Sequence, residues 1–247
     1  MSISKLRIHV APVGYEIDRV VIPAIKEKAD RVWLLLHENK SEDKAIPFSN
    51  KIVKKLREKN IEVKIAHHDR RDFFKIIKVV KDIVQEESGN EIYINLASGS
   101  KIQAIGTMMA SMMFNDNDNI HPFYAEAETY PGFDSKKPLS TGVKTISNVP
   151  PYNVHIPNQI LIDALSIISQ KHRLTKKELA KLALENNLIK VNALQGNETQ
   201  ATFASLDKNI IQPLYKNWKL IDIQKIGRNH WITLNDDGQN AIKFLVS

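Results

Sequence analysis

Apolar positions along the first 148 residues fall into two textures. Short runs such as "RVWLLLH" and "EIYINLAS" are continuously apolar or alternate with period two. Longer stretches such as "EIDRVVIPAIKEKA", "PFSNKIVKKLREKN" and "RDFFKIIKVVKDIVQEE" repeat their apolar residues three and four apart. The first texture predicts strands, buried on both faces where the run is unbroken, and the second predicts amphipathic helices. With "KLRIHVAP", "IEVKIAHH" and "IHPFYAEA" as further strands and "KIQAIGTMMASMMF" as a further helix, strand and helix alternate throughout. That order predicts an α/β fold, a Rossmann-like open parallel sheet with right-handed crossovers and helices on both faces. The turn-rich "ETYPGFDSKKPLSTG" between "FYAEA" and "GVKTIS" predicts a closing hairpin.

The texture changes after residue 148. Residues 149–158 fall in "NVPPYNVHIPN", with three prolines in eleven residues and little periodicity, and are expected to be a linker. Residues 159–247 then predict helix, helix, helix, hairpin, helix, the order of a winged helix-turn-helix domain. "LTKKELAKLALENN" opens with a capping box, Thr175 followed three places later by Glu178. "TQATFASLDKNIIQPLYKNW" is expected as one helix with Phe203, Leu206, Ile210 and Leu214 on its inner face, kinked near its end by Pro213. "LIDIQKIGRNHWITLN" predicts two strands around Gly227, Arg228 and Asn229.

Composition narrows the chemistry. With no cysteine, a disulfide framework and a thiolate metal site are both excluded. The N-terminus carries no signal-peptide pattern and no apolar run approaches a bilayer span, so a cytoplasmic protein without membrane contact is expected. The net charge of +7 divides as +3 over the first 150 residues and +4 over the last 97, a mild basic bias toward the C-terminus. It is compatible with nucleic acid without requiring it.

In an open α/β sheet, ligands bind beyond the carboxyl ends of the strands. Two loops there carry glycine: "APVGYEID" after the first strand and "ASGSK" after the fourth. Their candidate ligand contacts are Pro12, Val13, Gly14 and Tyr15 from one loop and Asn95, Ala97, Ser98, Gly99, Ser100 and Lys101 from the other. Small residues admit a ligand to the backbone, and consecutive N–H groups at a helix start form an anion nest. Ser98 and Ser100 can donate hydroxyls, and Asn95 can orient the loop or contact a base or ribose edge. Lys101 breaks a local rule, since a cation is unfavourable in the first turn of a helix, and would add a point charge against a phosphate. The plainer reading is a tight strand-to-helix turn with Ser100 as the cap. Neither a P-loop nor a G-x-G-x-x-G fingerprint is present.

Other residues carry weaker signals. His67, His68 and Asp69 end the third strand near the same rim, as rim or ligand contacts; no spacing among the eight histidines makes a metal site. Glu126, Glu128 and Tyr130 lie beyond the fifth strand, by default in a solvated loop. Met108, Met109, Met112 and Met113 make the helix after "ASGSK" apolar on more than one face, either as core or as a dimer interface. In the winged-helix region Gln200, Thr202, Ser205, Lys208 and Asn209 lie off the inner face of the third helix and are candidate DNA contacts. Arg228 at the wing tip, flanked by Lys225 and His230, suits phosphate or the minor groove. Such folds also serve as protein-interaction modules.

The whole order of elements, with "VAPVGYEIDRVVIPAI" and "INLASGSKIQAIG", resembles the CARF-domain proteins of CRISPR-associated systems. It is similar above all to the archaeal regulators that join a CARF domain to a winged helix. The family's turn after the fourth strand ends in lysine and often has two adjacent glycines; here it is Ser98-Gly99-Ser100-Lys101, keeping the lysine and one glycine. The resemblance implies a homodimer through the N-terminal domain that binds a cyclic oligoadenylate or other nucleotide across its two-fold axis, with the loops at Val13 and Gly14 and at residues 98–101 in contact with it. It implies a ligand-responsive transcriptional regulator acting on double-stranded DNA. No cofactor, metal or catalytic residue is expected. The alternatives are a ring nuclease acting on the same ligand and a metabolite sensor or protein-interaction module on the same scaffold.

Overall fold

The computed structural model describes residues 5–115, 118–132, 136–191 and 197–246. The chain forms two compact units, residues 1–155 and 156–247. In the first, strands β1 (Arg7–Pro12), β2 (Arg31–His37), β3 (Glu62–His68), β4 (Glu91–Asn95) and β5 (Ile120–Glu126) are parallel. Strand β6 (Thr145–Asn148) runs antiparallel to β5, with Phe123 opposite Asn148. The sheet order is β3-β2-β1-β4-β5-β6, so the predicted Rossmann-like sheet and its closing hairpin are both present. From β1 the chain winds outward through β2 and β3, then returns to place β4 on the other side of β1. The carboxyl ends of β1 and β4 therefore flank the point where the winding direction reverses.

Helices cover both faces, as a sheet of such apolar strands requires. Helices α1 (Asp18–Lys26) and α2 (Ile46–Arg57) share a core with the sheet through Ala11, Val20, Val32, Leu34, Ile52 and Leu56. Helix α3 (Phe73–Glu86) packs against α4 (Lys101–Met113) at close range: a β-carbon on Gly106 would stand 2.7 Å from Ile76 Cγ2. Ile76, Ile77, Val80 and Ile83 are fully buried.

In the second unit, α5 (Gln159–Lys171) is capped by Asn158. Strand β7 (Leu174–Thr175) leads directly into α6 (Lys176–Glu185), whose capping box between Thr175 and Glu178 is formed. Then follow α7 (Glu198–Leu206), β8 (Ile221–Ile226), β9 (Asn229–Leu234) and α8 (Asp236–Leu245), with the sheet order β7-β9-β8. This is a winged helix with a short third strand. Its hairpin turns on Gly227 and Arg228, and Gly227 has the positive φ of +60° that a two-residue turn asks of its first position.

The third helix departs from the sequence expectation. It is α-helical only to Leu206 and continues through π-turns at residues 207–211 and 213–217. In an α-helix the ring of Pro213 would strike the carbonyl four residues earlier and leave a bond unmade. The helix runs through the proline on wider i→i−5 turns, Gln212 N–H to Asp207 O before it and Trp218 N–H to Pro213 O at 2.9 Å after it. Leu206, Ile210 and Leu214, four apart, remain fully buried, while Phe203 is half-buried. Among the described residues no helix is long and apolar enough to cross a membrane.

Candidate functional site

The loops after β1 and β4 touch. A β-carbon on Gly14 would stand 3.1 Å from Gly99 Cα, and one on Gly99 would stand 2.6 Å from Pro12 Cβ. Gly99 also has φ +79°, a conformation L side chains rarely adopt. Both glycines are thus set by the crossing of two loops at the reversal point of the sheet.

Several sequence candidates are consumed in building that crossing. Ser98 is buried and donates its hydroxyl to Pro12 O at 2.6 Å, tying the loops together. Asn95, also buried, accepts from Ala97 N–H at 2.8 Å and donates to Arg19 O at 2.7 Å. The second bond has a cause in the sequence. Pro23, inside α1, has no N–H to offer the carbonyl four residues earlier, and Asn95 fills that place. Both side chains therefore orient the loop and face inward. Ser100 is the cap of α4: it accepts from Gln103 N–H at 3.3 Å while Gln103 Oε1 accepts from Ser100 N–H at 2.9 Å. The plainer reading of Ser100 is the one realised.

Val13 extends β1 by donating to Leu35 O, and Tyr15 packs edge-on against Phe48 at 5.1 Å. Ala97 is buried. Lys101 alone points out of the turn: it is exposed and makes no hydrogen bond or ion pair among the described residues. Beside it on α4, Ile102 and Ile105 are exposed, the latter by 57%.

Three contributors escaped the sequence reading. Glu16, 8% exposed, sits under the crossing, and a β-carbon on Gly14 would lie 2.8 Å from its Oε2. Burial pushes this carboxyl above the ordinary carboxylate range, against the pull of the backbone amides of Glu16, Gly99 and Tyr15 and the charge of Arg19. Its Oε2 is buried with no hydrogen-bond partner. Arg19, also buried, donates Nε to Ala125 O at 2.8 Å and lies 5.0 Å from the Tyr124 ring centre, with Nη2 unpartnered. Gln103 was legible, since Ser100-x-x-Gln103 is a capping box. An acid just before α1 and an arginine in its first turn give no such signal.

At the rim, His68 Nε2 lies 3.2 Å from Gln103 Nε2 and serves as acceptor, and burial, with the charge of Arg70 nearby, lowers this histidine to about 4. His67 Nδ1 faces His37 O at 3.3 Å, and Asp69 accepts from Arg71 N–H at 3.0 Å. Among the described residues no three His, Cys, Asp or Glu side chains are placed to hold a metal. Glu126 accepts from Thr145 Oγ1 at 3.0 Å, and Tyr130 is exposed.

On the winged helix, Gln200, Lys208 and Asn209 are exposed along the third helix and Arg228 at the wing tip. Thr202 returns its hydroxyl to Glu198 O at 2.7 Å, Ser205 to Lys190 O at 3.3 Å, and Asn209 donates to Ser205 Oγ at 3.1 Å. Arg173 stacks on Trp231 of β9 at 4.3 Å.

Residues 7–130 match the family model described as HFX_2341_N-like, N-terminal, and residues 160–246 match the DUF6293 C-terminal winged helix domain. The chain is 30% identical to the protein MJ1513 of Methanocaldococcus jannaschii, over 76% of this chain and 64% of that one. It therefore spans a little under two-thirds of this curated relative. Among solved structures it is similar to Can2 from Sulfobacillus thermosulfidooxidans in complex with cyclic tetra-adenylate. There the identity is 14% and the TM-score 0.40, covering 96% of this chain and 63% of that one. It is similar also to Enterococcus italicus Csm6 bound to cyclic hexa-2'-fluoro-hexa-dAMP, with 9% identity, TM-score 0.45, and 88% and 57% covered.

Proposed function

The chain belongs to the HFX_2341_N-like, N-terminal family, with a DUF6293-type winged helix behind it, and from that premise we propose that it is a ligand-responsive, DNA-binding transcriptional regulator. Its N-terminal unit, paired as a homodimer, takes a cyclic oligoadenylate or related nucleotide at the crossing of the β1 and β4 loops. The winged helices contact double-stranded DNA through Gln200, Lys208, Asn209 and Arg228.

The observation that carries this reading is Lys101. It occupies the first turn of α4, where the helix dipole disfavours a cation, and no acid among the described residues neutralises it. The side chain stands exposed directly after a turn whose glycine touches the partner loop at the reversal point of the sheet. A ligand phosphate beside it turns an unfavourable position into a charge-assisted contact.

Calorimetric titration with cyclic tetra-adenylate tests this. Wild type is expected to bind one ring per dimer, and Lys101→Ala to bind at least about tenfold more weakly, the equivalent of about 1.4 kcal/mol. Because Lys101 makes no hydrogen bond or ion pair among the described residues, the variant should melt at the wild-type temperature and keep its basal affinity for DNA. A variant that binds as wild type does removes Lys101 from the site, and absence of heat from wild type removes this ligand.

A further inference from the structure

We propose that Glu16 keeps phosphate out of the notch between the Gly14 and Gly99 loops and reserves it for a hydrogen-bond donor of the ligand, a ribose hydroxyl or the exocyclic amine of a base. The donor half rests on the nucleotide reading above; the exclusion half stands on the geometry of the notch.

Two loops that cross through glycine at the carboxyl ends of parallel strands offer backbone N–H groups, and such a nest draws an anion. Here the chain supplies the anion itself. The amides of Tyr15, Glu16 and Gly99 bear on the Glu16 carboxyl, whose Oε2 lies 2.8 Å from where a Gly14 side chain would begin. A second anion entering between the loops meets like charge at that carboxyl.

The remaining charge around the notch does not reverse this. Arg19 in the first turn of α1 pulls on the carboxyl; its Nε is committed to Ala125 O and its guanidinium lies against Tyr124, with Nη2 unpartnered. On the far side of Gly99, α4 presents Gln103 Oε1, a neutral acceptor 2.9 Å from where a Gly99 side chain would begin. Behind it β3 presents His68, held neutral by burial. Lys101 stands outside, exposed.

Among the described residues no donor reaches Glu16 Oε2. Glu16 Oε2 is buried and unpartnered, and an acceptor left so is satisfied by any hydroxyl or amine that reaches it. The division of labour follows: phosphate at Lys101 on the rim, a donor group at Glu16 between the loops. A site built to receive a donor discriminates strongly against an analogue that lacks it.

The test uses the full chain at pH 8, on the alkaline side that favours the ionised form of a burial-raised carboxyl. Thermal melting is followed with and without inorganic pyrophosphate, in wild type and in Glu16→Gln. Pyrophosphate is expected to raise the Tm of the variant by several degrees more than that of wild type, where the anion meets Lys101 on the rim but not the notch; equal shifts in both overturn the exclusion. On wild type alone, titration compares cyclic tetra-adenylate, its 2′-deoxy counterpart and cyclic tetra-inosinate. One of the two analogues is expected to bind at least tenfold more weakly than the parent ring, which identifies the donor as hydroxyl or amine. Equal affinities for all three overturn the donor assignment. If none of the rings binds, the nucleotide reading fails, and the pyrophosphate contrast still decides what Glu16 does.

Discussion

Gly99 carries two constraints that separate by experiment. Its φ of +79° is strained for any L side chain, and a β-carbon there would lie 2.6 Å from Pro12 Cβ. Gly89 has a similar φ of +89° but nothing within 4 Å, so Gly89→Ala measures the backbone cost alone, about 1–3 kcal/mol. Gly99→Ala is expected to lose more than Gly89→Ala in chemical denaturation, because the clash adds to the strain. Equal losses would mean that the two loops do not meet. The same crossing explains how much of the site was legible. The small-residue turn stands out in the sequence by its composition, and the lysine after it because a cation is unfavourable in the first turn of a helix. Which way Asn95 and Ser98 turn does not, since their partners, Arg19 O and Pro12 O, lie 76 and 86 residues away in the chain. Glu16 carries no signal for the same reason: the Gly99 amide that bears on its carboxyl lies in the second loop.

The strands show a second legible layer and a hidden one. The β1–β4–β5 neighbours place His9, Tyr93 and His121 in register, with successive ring centres 5.1 Å apart. Burial, then the charge of Arg7, lowers His9 to about 4. A base lowered in the folded state binds its proton more readily when unfolded, so its stabilising contribution is whole above about pH 6.5 and is lost as pH falls toward 4. His9 and His68 each put about 3 kcal/mol at stake over that window, while the raised carboxyl of Glu16 works in the opposite sense. His9→Phe, which keeps a ring beside Tyr93 and Phe123, should lose less stability between pH 7 and pH 5 than wild type does. Denaturant midpoints at the two pH values check this, and identical losses would place the acid sensitivity elsewhere. Strand and helix order, the hairpin and the Thr175 capping box were all legible because each rests on local periodicity or local chemistry. Strand β7, two residues long, has no period to detect. The π-turns around Pro213 follow from relief of a clash within a helix whose buried face still holds, which pattern alone assigns to a kink.

At the scale of the whole molecule, α4 joins the turn after β4 to an apolar surface that, apart from a backbone bond from Val154 N–H to Met112 O, is left half-open among the described residues. Its inner face is spent on α3, through Gly106 against Ile76, with Gln103, Thr107, Ala110 and Ser111 buried along it. The other face leaves Ile102 and Ile105 exposed and all four methionines, Met108, Met109, Met112 and Met113, half-buried. An apolar stripe that starts at Lys101 and runs the length of a helix suits a two-fold interface. A ligand seated at Lys101 would then lie where two copies meet. Ile105→Lys puts a charge in the middle of that stripe without touching the core. It is expected to shift the protein from dimer to monomer in sedimentation velocity while its melting temperature at high dilution stays that of wild type. The consequence reaches the winged helices. A dimer presents two of them, and the second binding event on a two-half-site duplex becomes intramolecular, a gain of about 10²–10⁴ in apparent affinity when the geometry allows it. Ile105→Lys should therefore lose affinity for a palindromic duplex and keep affinity for a single half-site, although the substitution adds a positive charge that by itself favours DNA. A variant that remains a dimer, or that loses both affinities together, would mean that α4 is not the surface through which the two copies pair.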